Sequence, residues 1–222
     1  MFQMSNSTTI PVYCMPGMAA NSLIFQYIKL PAPYQLFYLD WIPPRENESL
    51  QSYALRMCDL IKEPLPTLLG VSFGGILVQE MAKIIEVRKT VIVSSIKSNK
   101  ELPITMKLGK LTKAYKILPT QYVDDMESLL GFVFGPAVKR RMDLHKKYLS
   151  VRDKHYLDWA IEQMTEWKQE TPPSNLIHIH GTLDLILPVL GMKNYIPVPK
   201  ATHAMILTKA AWFNTNLPKL LC

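Results

Sequence analysis

Thr67-Leu-Leu-Gly-Val-Ser-Phe-Gly-Gly-Ile-Leu-Val-Gln-Glu-Met-Ala-Lys-Ile-Ile85 decides the fold. It opens on a short apolar run, Thr67-Leu-Leu69, as a strand buried on both faces of a parallel sheet requires. It closes on a helical pattern from about residue 73 to 85, with Ile76, Leu77, Met81 and Ile84 on one side. Between them lies Gly70-Val71-Ser72-Phe73-Gly74, a G-x-S-x-G pattern. Alone the pattern is weak, because glycine and serine are common. A strand that turns at once into a helix makes it specific. Such a turn is strained and crowded, so small residues must stand two positions either side of the serine, and Gly75 adds room. The helix start also brings unpaired N–H groups and a positive dipole end beside Ser72. The plainer alternative is a serine capping an ordinary turn.

Outward from this segment, apolar runs alternate with helical patterns, which implies βαβ units and a mainly parallel sheet of about six strands. The strands are Thr9-Ile-Pro-Val-Tyr-Cys-Met15, stopped by Pro16-Gly17; Gln35-Leu-Phe-Tyr-Leu39; Thr67-Leu-Leu69; Thr90-Val-Ile-Val-Ser94; Leu176-Ile-His-Ile-His180; and Tyr195-Ile-Pro-Val198. A short helix is expected over 22–28. After the break at Pro43-Pro44, Glu48-Ser49 opens a helix with Leu50, Tyr53, Ala54, Met57, Leu60 and Ile61 on one face. A last helix is expected over 207–221. Residues from about 101 to 170 interrupt the rhythm. They are rich in Lys and Met and read as several helices, the clearest over 153–169 with Leu157, Ile161 and Met164 at helical spacing. An insertion at the carboxyl side of a parallel sheet sits where ligands bind, so it is expected to form a helical cap on a single domain spanning 1–222.

Composition excludes several classes. The chain has 222 residues, 48% of them apolar, which suits one globular domain. No apolar run is long enough to span a membrane. The polar N-terminus does not read as a secretory signal, and the three cysteines, Cys14, Cys58 and Cys222, do not form a disulfide or zinc framework, so a cytoplasmic location is expected. The net charge of +7 owes much to stretches such as Lys107-Leu-Gly-Lys110 and Lys139-Arg-Arg141. No nucleic-acid motif accompanies them. They read as a solvated face, or as a surface that docks an acidic acyl-carrier protein.

The strand-turn-helix around Ser72 resembles the α/β-hydrolase superfamily, and the likeness covers essentially the whole chain, starting at the family's third strand. The resemblance implies acyl transfer to serine, with acid and histidine following the nucleophile in that order. Five histidines are candidates for the base. His145 and His155 lie among charges in the cap. His178 and His180 share one face of a strand and have no third ligand nearby, so they read as a structural pair and no metal is expected. His203 sits in Pro199-Lys-Ala-Thr-His-Ala204, beyond the last strand, where the family carries its base. The acid should follow the preceding strand, and His180-Gly-Thr-Leu-Asp184 resembles the family's acid turn. Some members carry the acid one strand earlier, but Ser94-Ser-Ile-Lys-Ser-Asn99 contains no carboxylate. The serine argues against haloalkane dehalogenases and epoxide hydrolases, which use an aspartate nucleophile.

The oxyanion donors are expected to be the N–H groups of Phe73 and of Met18, in Met15-Pro16-Gly17-Met18, where the family more often has His-Gly. Met15, Trp159, Trp167 and Met205 are candidates for an apolar acyl pocket, with ordinary core packing as the alternative. Trp159 and Trp167, eight residues apart, are expected on one helix face. The reading is therefore a serine hydrolase for a carboxylic ester or thioester, without cofactor. Its rivals are a non-catalytic small-molecule receptor on the same fold and an interaction protein using the basic cap.

Overall fold

The computed structural model describes residues 9–104, 106 and 147–222. Six strands form one all-parallel sheet: β1 (Ile10–Met15), β2 (Tyr34–Tyr38), β3 (Thr67–Val71), β4 (Lys89–Val93), β5 (Leu176–Gly181) and β6 (Ile196–Val198), in the order β2-β1-β3-β4-β5-β6. Val12, Leu68, Leu69, Val91, Ile92, Val93 and Ile179 have no exposed surface, as strands covered on both faces require. The register aligns Met15 with Gly70, Val71 with Val93, and Gly181 with Val198. The carboxyl ends of β1, β3, β4, β5 and β6 thus lie along one edge. The chain reverses its direction of travel across the sheet between β1 and β3, and a crevice opens at such a switch point.

Five α-helices are described: α1 (Leu50–Cys58), α2 (Phe73–Met81), α3 (Lys154–Glu166), α4 (Met205–Thr208) and α5 (Ala210–Leu221); Ser22–Phe25 is a 3-10 turn. Ser49 caps α1, its side chain accepting from the N–H of Ser52, and Leu50, Tyr53, Ala54, Met57 and Cys58 face inward. Leu60, expected on the same face, is exposed, because α1 has ended and 3-10-type bonds turn the chain toward β3. Ile84 departs from expectation for the same reason. Helix α2 stops at Met81, so the helical period no longer carries Ile84 to the buried side. All nine residues of α2 are buried. The single helix expected at the C-terminus is instead two, separated at Lys209 with φ −122° and ψ 27°.

Of the expected cap, α3 is described. Asp153 caps it by accepting from the N–H of Tyr156 at 2.8 Å, and Tyr156, Leu157, Trp159 and Ala160 are its buried residues, whereas Ile161 and Met164 are only half-buried. The basic stretches at 107–110 and 139–141, and with them the surface expected for a carrier protein, lie outside the described residues, as does His145. Among the described residues no helix is long and apolar enough to cross a membrane.

Candidate active site

Strand β3 ends at Val71 and α2 begins at Phe73, so Ser72 alone turns the chain. Its φ of 52° and ψ of −122° lie outside the ordinary regions for an L-residue, a strain on the order of 1–3 kcal/mol. Three bonds hold it. The Ser72 N–H donates to the Val93 carbonyl at 2.9 Å. The Ser72 carbonyl accepts from Gly75 N–H at 2.8 Å and from the Ser95 hydroxyl at 2.7 Å. The Ser72 side chain makes no capping bond to α2. Its Oγ instead lies 3.0 Å from His203 Nε2, which sets aside the reading of Ser72 as a helix cap.

The flanking glycines are steric requirements. A Cβ on Gly70 would stand 2.3 Å from the Gly74 carbonyl oxygen, and one on Gly74 would stand 2.2 Å from that of Pro16. Both obstacles are backbone and cannot swing aside. Gly74→Ala is therefore expected to cost about 3 kcal/mol of stability or more. Urea denaturation checks this: an unchanged midpoint would contradict the packing described.

Asp184 and His203 arrive from neighbouring loops. Asp184 follows β5 and His203 follows β6. The Leu183 N–H donates to the Ala201 carbonyl at 2.9 Å, the Thr182 N–H to the Val198 carbonyl at 3.1 Å, and the Lys200 N–H to Thr182 Oγ1 at 2.9 Å. These bonds knit the two loops together. Asp184 Oδ2 lies 2.8 Å from His203 Nδ1, while its Oδ1 accepts from the N–H groups of Ile186 (2.9 Å) and Leu187 (3.0 Å). Asp184 and His203 are buried. Burial alone would raise the Asp184 pKa. The hydrogen bonds from His180 and His203, the His203 charge and the Leu187 N–H outweigh it and hold the carboxyl well below the usual carboxylate range. An ionised Asp184 can only accept, so His203 Nδ1 carries the proton and Nε2 is left to accept from Ser72.

The loop after β1 completes the setting. A Cβ on Gly17 would lie 3.3 Å from Ser72 Cβ, so this loop passes directly over Ser72. Trp41 pins it by donating from Nε1 to the Gly17 carbonyl at 2.9 Å, and stacks on Phe73 at 5.3 Å between ring centroids. Sequence reasoning missed Trp41. Its signal is an aromatic residue just past the carboxyl end of β2, on the edge where the site forms. Met18 is half-buried beside Gly17, and Phe73 is the first residue of α2, whose N–H has no intrahelical acceptor. Of the four side chains expected around an acyl group, Met15 and Met205 have no exposed surface. Trp159 packs edge-on against Phe73 at 5.9 Å and donates to the Glu48 carbonyl. Trp167 lies one residue past α3 with ψ 133°, off the helix face expected to carry both tryptophans, and its indole N–H is committed to Glu80 Oε1 at 2.7 Å.

His178 and His180 do share a face of β5, with His178 Nε2 3.0 Å from His180 Nδ1. Among the described residues no group of three or more His, Cys, Asp or Glu side chains is arranged to hold a metal ion. Burial first, then the neighbouring His180 and Lys97, push the His178 pKa down from 6.5 to about 3. The sign follows from linkage. Between these values the unfolded chain binds a proton at this position and the folded protein does not, so stability falls as pH falls from 6.5. By pH 3 the loss from this residue is on the order of 4 kcal/mol. Asp184 acts in the same direction at lower pH, its contribution being present above the ordinary carboxylate range and lost below it. Urea midpoints measured from pH 7 to pH 4 should drop for the parent and drop less for His178→Gln; equal slopes would contradict the assignment.

An all-parallel sheet in this order, a strained strand-to-helix turn bearing a serine, and an aspartate and a histidine delivered after β5 and β6 define the α/β-hydrolase fold. Solved structures with this fold superpose over nearly the full length. A hydrolase from Pseudomonas aeruginosa PA01 matches with a TM-score of 0.72 at 15% identity, over 96% of this chain and 90% of that one. A protein from Mycobacterium tuberculosis H37Rv assigned as a non-heme bromoperoxidase gives 0.70 at 16% identity, over 97% and 92%. A lipase-esterase related protein from Clostridium acetobutylicum ATCC 824 gives 0.65 at 17% identity, over 97% and 96%. Likeness at this level of identity defines the fold and leaves the reaction to the site. No family model and no curated protein matches the chain.

Proposed function

We propose that the protein is a serine hydrolase that cleaves a carboxylic ester or thioester through an acyl-enzyme. What supports the reading is the continuous line Ser72 Oγ, His203 Nε2, His203 Nδ1, Asp184 Oδ2, with steps of 3.0 and 2.8 Å, ending at a serine beside an unpaired helix start. Ser72 Oγ attacks the acyl carbon as its proton passes to His203 Nε2. The bond to the leaving oxygen or sulfur breaks, and His203 returns the proton to the leaving group. Water then attacks the acyl-Ser72 carbon, giving a proton to His203. The carbon–Oγ bond breaks, Ser72 regains the proton and the carboxylic acid departs. The N–H groups of Phe73 and Met18 receive the charge that develops on the carbonyl oxygen in both steps. Asp184 stays ionised, fixes the tautomer and stabilises the imidazolium. The reaction so written calls for no cofactor.

The test is a panel of p-nitrophenyl esters and acyl thioesters of increasing chain length, followed before the steady state. The expected result is turnover with an initial release of leaving group close to one equivalent per Ser72. A folded protein that binds such compounds and turns over none of them would favour a receptor on the same fold.

A further inference from the structure

The candidate acid is held by a second histidine. His180 Nε2 lies 3.2 Å from Asp184 Oδ2 and 2.8 Å from the carbonyl oxygen of Leu187. The side chains of His180 and Asp184 are wholly buried. A carbonyl cannot donate, and Asp184 already accepts from two backbone N–H groups and His203. The proton at this junction therefore sits on His180 Nε2, directed to the Leu187 carbonyl at 2.8 Å with Asp184 Oδ2 beside it at 3.2 Å. In the neutral ring, Nδ1 is then bare, and His178 Nε2, 3.0 Å away, must donate to it. With both rings neutral the protons run His178 Nε2–H to His180 Nδ1, and His180 Nε2–H toward Leu187 and Asp184, and His178 Nδ1 is left buried without a hydrogen-bond partner. The groups facing the pair are Asp184, the Tyr195 ring at 5.9 Å from His178 and 6.2 Å from His180, the Ser95 backbone and the Lys97 ammonium on the His178 side.

Asp184 is consequently fixed at both oxygens, Oδ1 by backbone and Oδ2 by two imidazoles. An acid held by backbone alone could pivot about Oδ1 and present its other oxygen to His203 at varying angles. We propose that His180, its tautomer set by His178, is a positioning residue of the triad: its Nε2–H locks Asp184 Oδ2 in line with His203 and draws off part of the carboxylate's charge. The inference rests on the triad reading. The hydrogen bond from His180 also contributes to the depressed Asp184 pKa.

Replacing His180 removes a donor from Asp184, which then holds protonated His203 more tightly. His180→Leu should lower kcat about tenfold with KM unchanged, and move the acid limb of kcat/KM to higher pH. His180→Gln, whose side-chain amide keeps a donor near the same place, should restore both. Because a buried leucine can unfold the protein, histidine-selective 15N NMR of the unsubstituted chain provides a test that needs no variant. His180 and His178 are each expected with a protonated Nε2 and a bare Nδ1. A protonated His180 Nδ1, or a folded His180→Leu variant with the parent's rate and pH profile, would overturn the proposal. Expected tautomers in a protein that neither turns over esters nor reacts at Ser72 would leave the Asp184 geometry standing and sink the triad reading instead. The reverse pattern would leave the triad and remove His180 from it.

Discussion

Ser72→Ala should lower kcat on an ester substrate by about 10⁶, the loss expected when a triad nucleophile is removed and only binding and the oxyanion donors remain. The effect is expected to be chemical, not structural. Ser72 Oγ makes no capping bond to α2, and its bond to His203 Nε2 at 3.0 Å is the polar contact the substitution takes away. The bonds that hold the turn, Ser72 N–H to the Val93 carbonyl and Ser95 Oγ to the Ser72 carbonyl, belong to the backbone and survive. Alanine must adopt the same positive φ, but so does the serine it replaces. Circular dichroism and the urea midpoint should thus be close to those of the parent. Retention of more than a hundredth of the parent rate would place the nucleophile elsewhere.

Asp184→Asn should lower kcat by about 10²–10⁴ without unfolding the chain. Asparagine is the same size, and its carbonyl oxygen can take over from Oδ1 the bonds from Ile186 and Leu187 N–H, at 2.9 and 3.0 Å. The amide nitrogen then occupies the Oδ2 position and faces two imidazoles that both present N–H, His203 at 2.8 Å and His180 at 3.2 Å. Donor meets donor. His203 is driven to the other tautomer, in which Nε2 carries the proton and cannot accept from Ser72. The negative charge that offsets the imidazolium is lost as well. The damage should fall on kcat, because these interactions strengthen in the transition state. A folded variant with the parent kcat would require another carboxylate to serve as the acid.

How far the sequence discloses this arrangement depends on how local each constraint is. The turn at Ser72 is legible because its geometry is severe. Neither Gly70 nor Gly74 can carry a side chain, so the pattern survives as residue identity. The parallel strands are legible because they are short and apolar, and the sheet edge that gathers Ser72, Asp184 and His203 follows from chain order and topology. What depends on where a helix ends is not legible. Ile84 fits the period of α2 but lies beyond its last turn, and Trp167 fits the period of α3 but lies one residue past it. The link from His180 to Asp184 was hidden for a different reason. Alternation in β5 places His178 and His180 on one face, but nothing in that period says that the following loop folds back. It does so through the bonds from Ile186 and Leu187 N–H to Asp184 Oδ1, which carry the carboxylate over the strand's last histidine.

In the proposed reaction Ser72 is a nucleophile primed by His203. The most direct test of this is reaction of the native protein with a fluorophosphonate, followed by peptide mass mapping. The expected result is a single covalent phosphonyl group on Ser72, formed in the parent and absent from Ser72→Ala and from unfolded protein. Phosphonylation of a different serine, or none at all on folded protein, would contradict it.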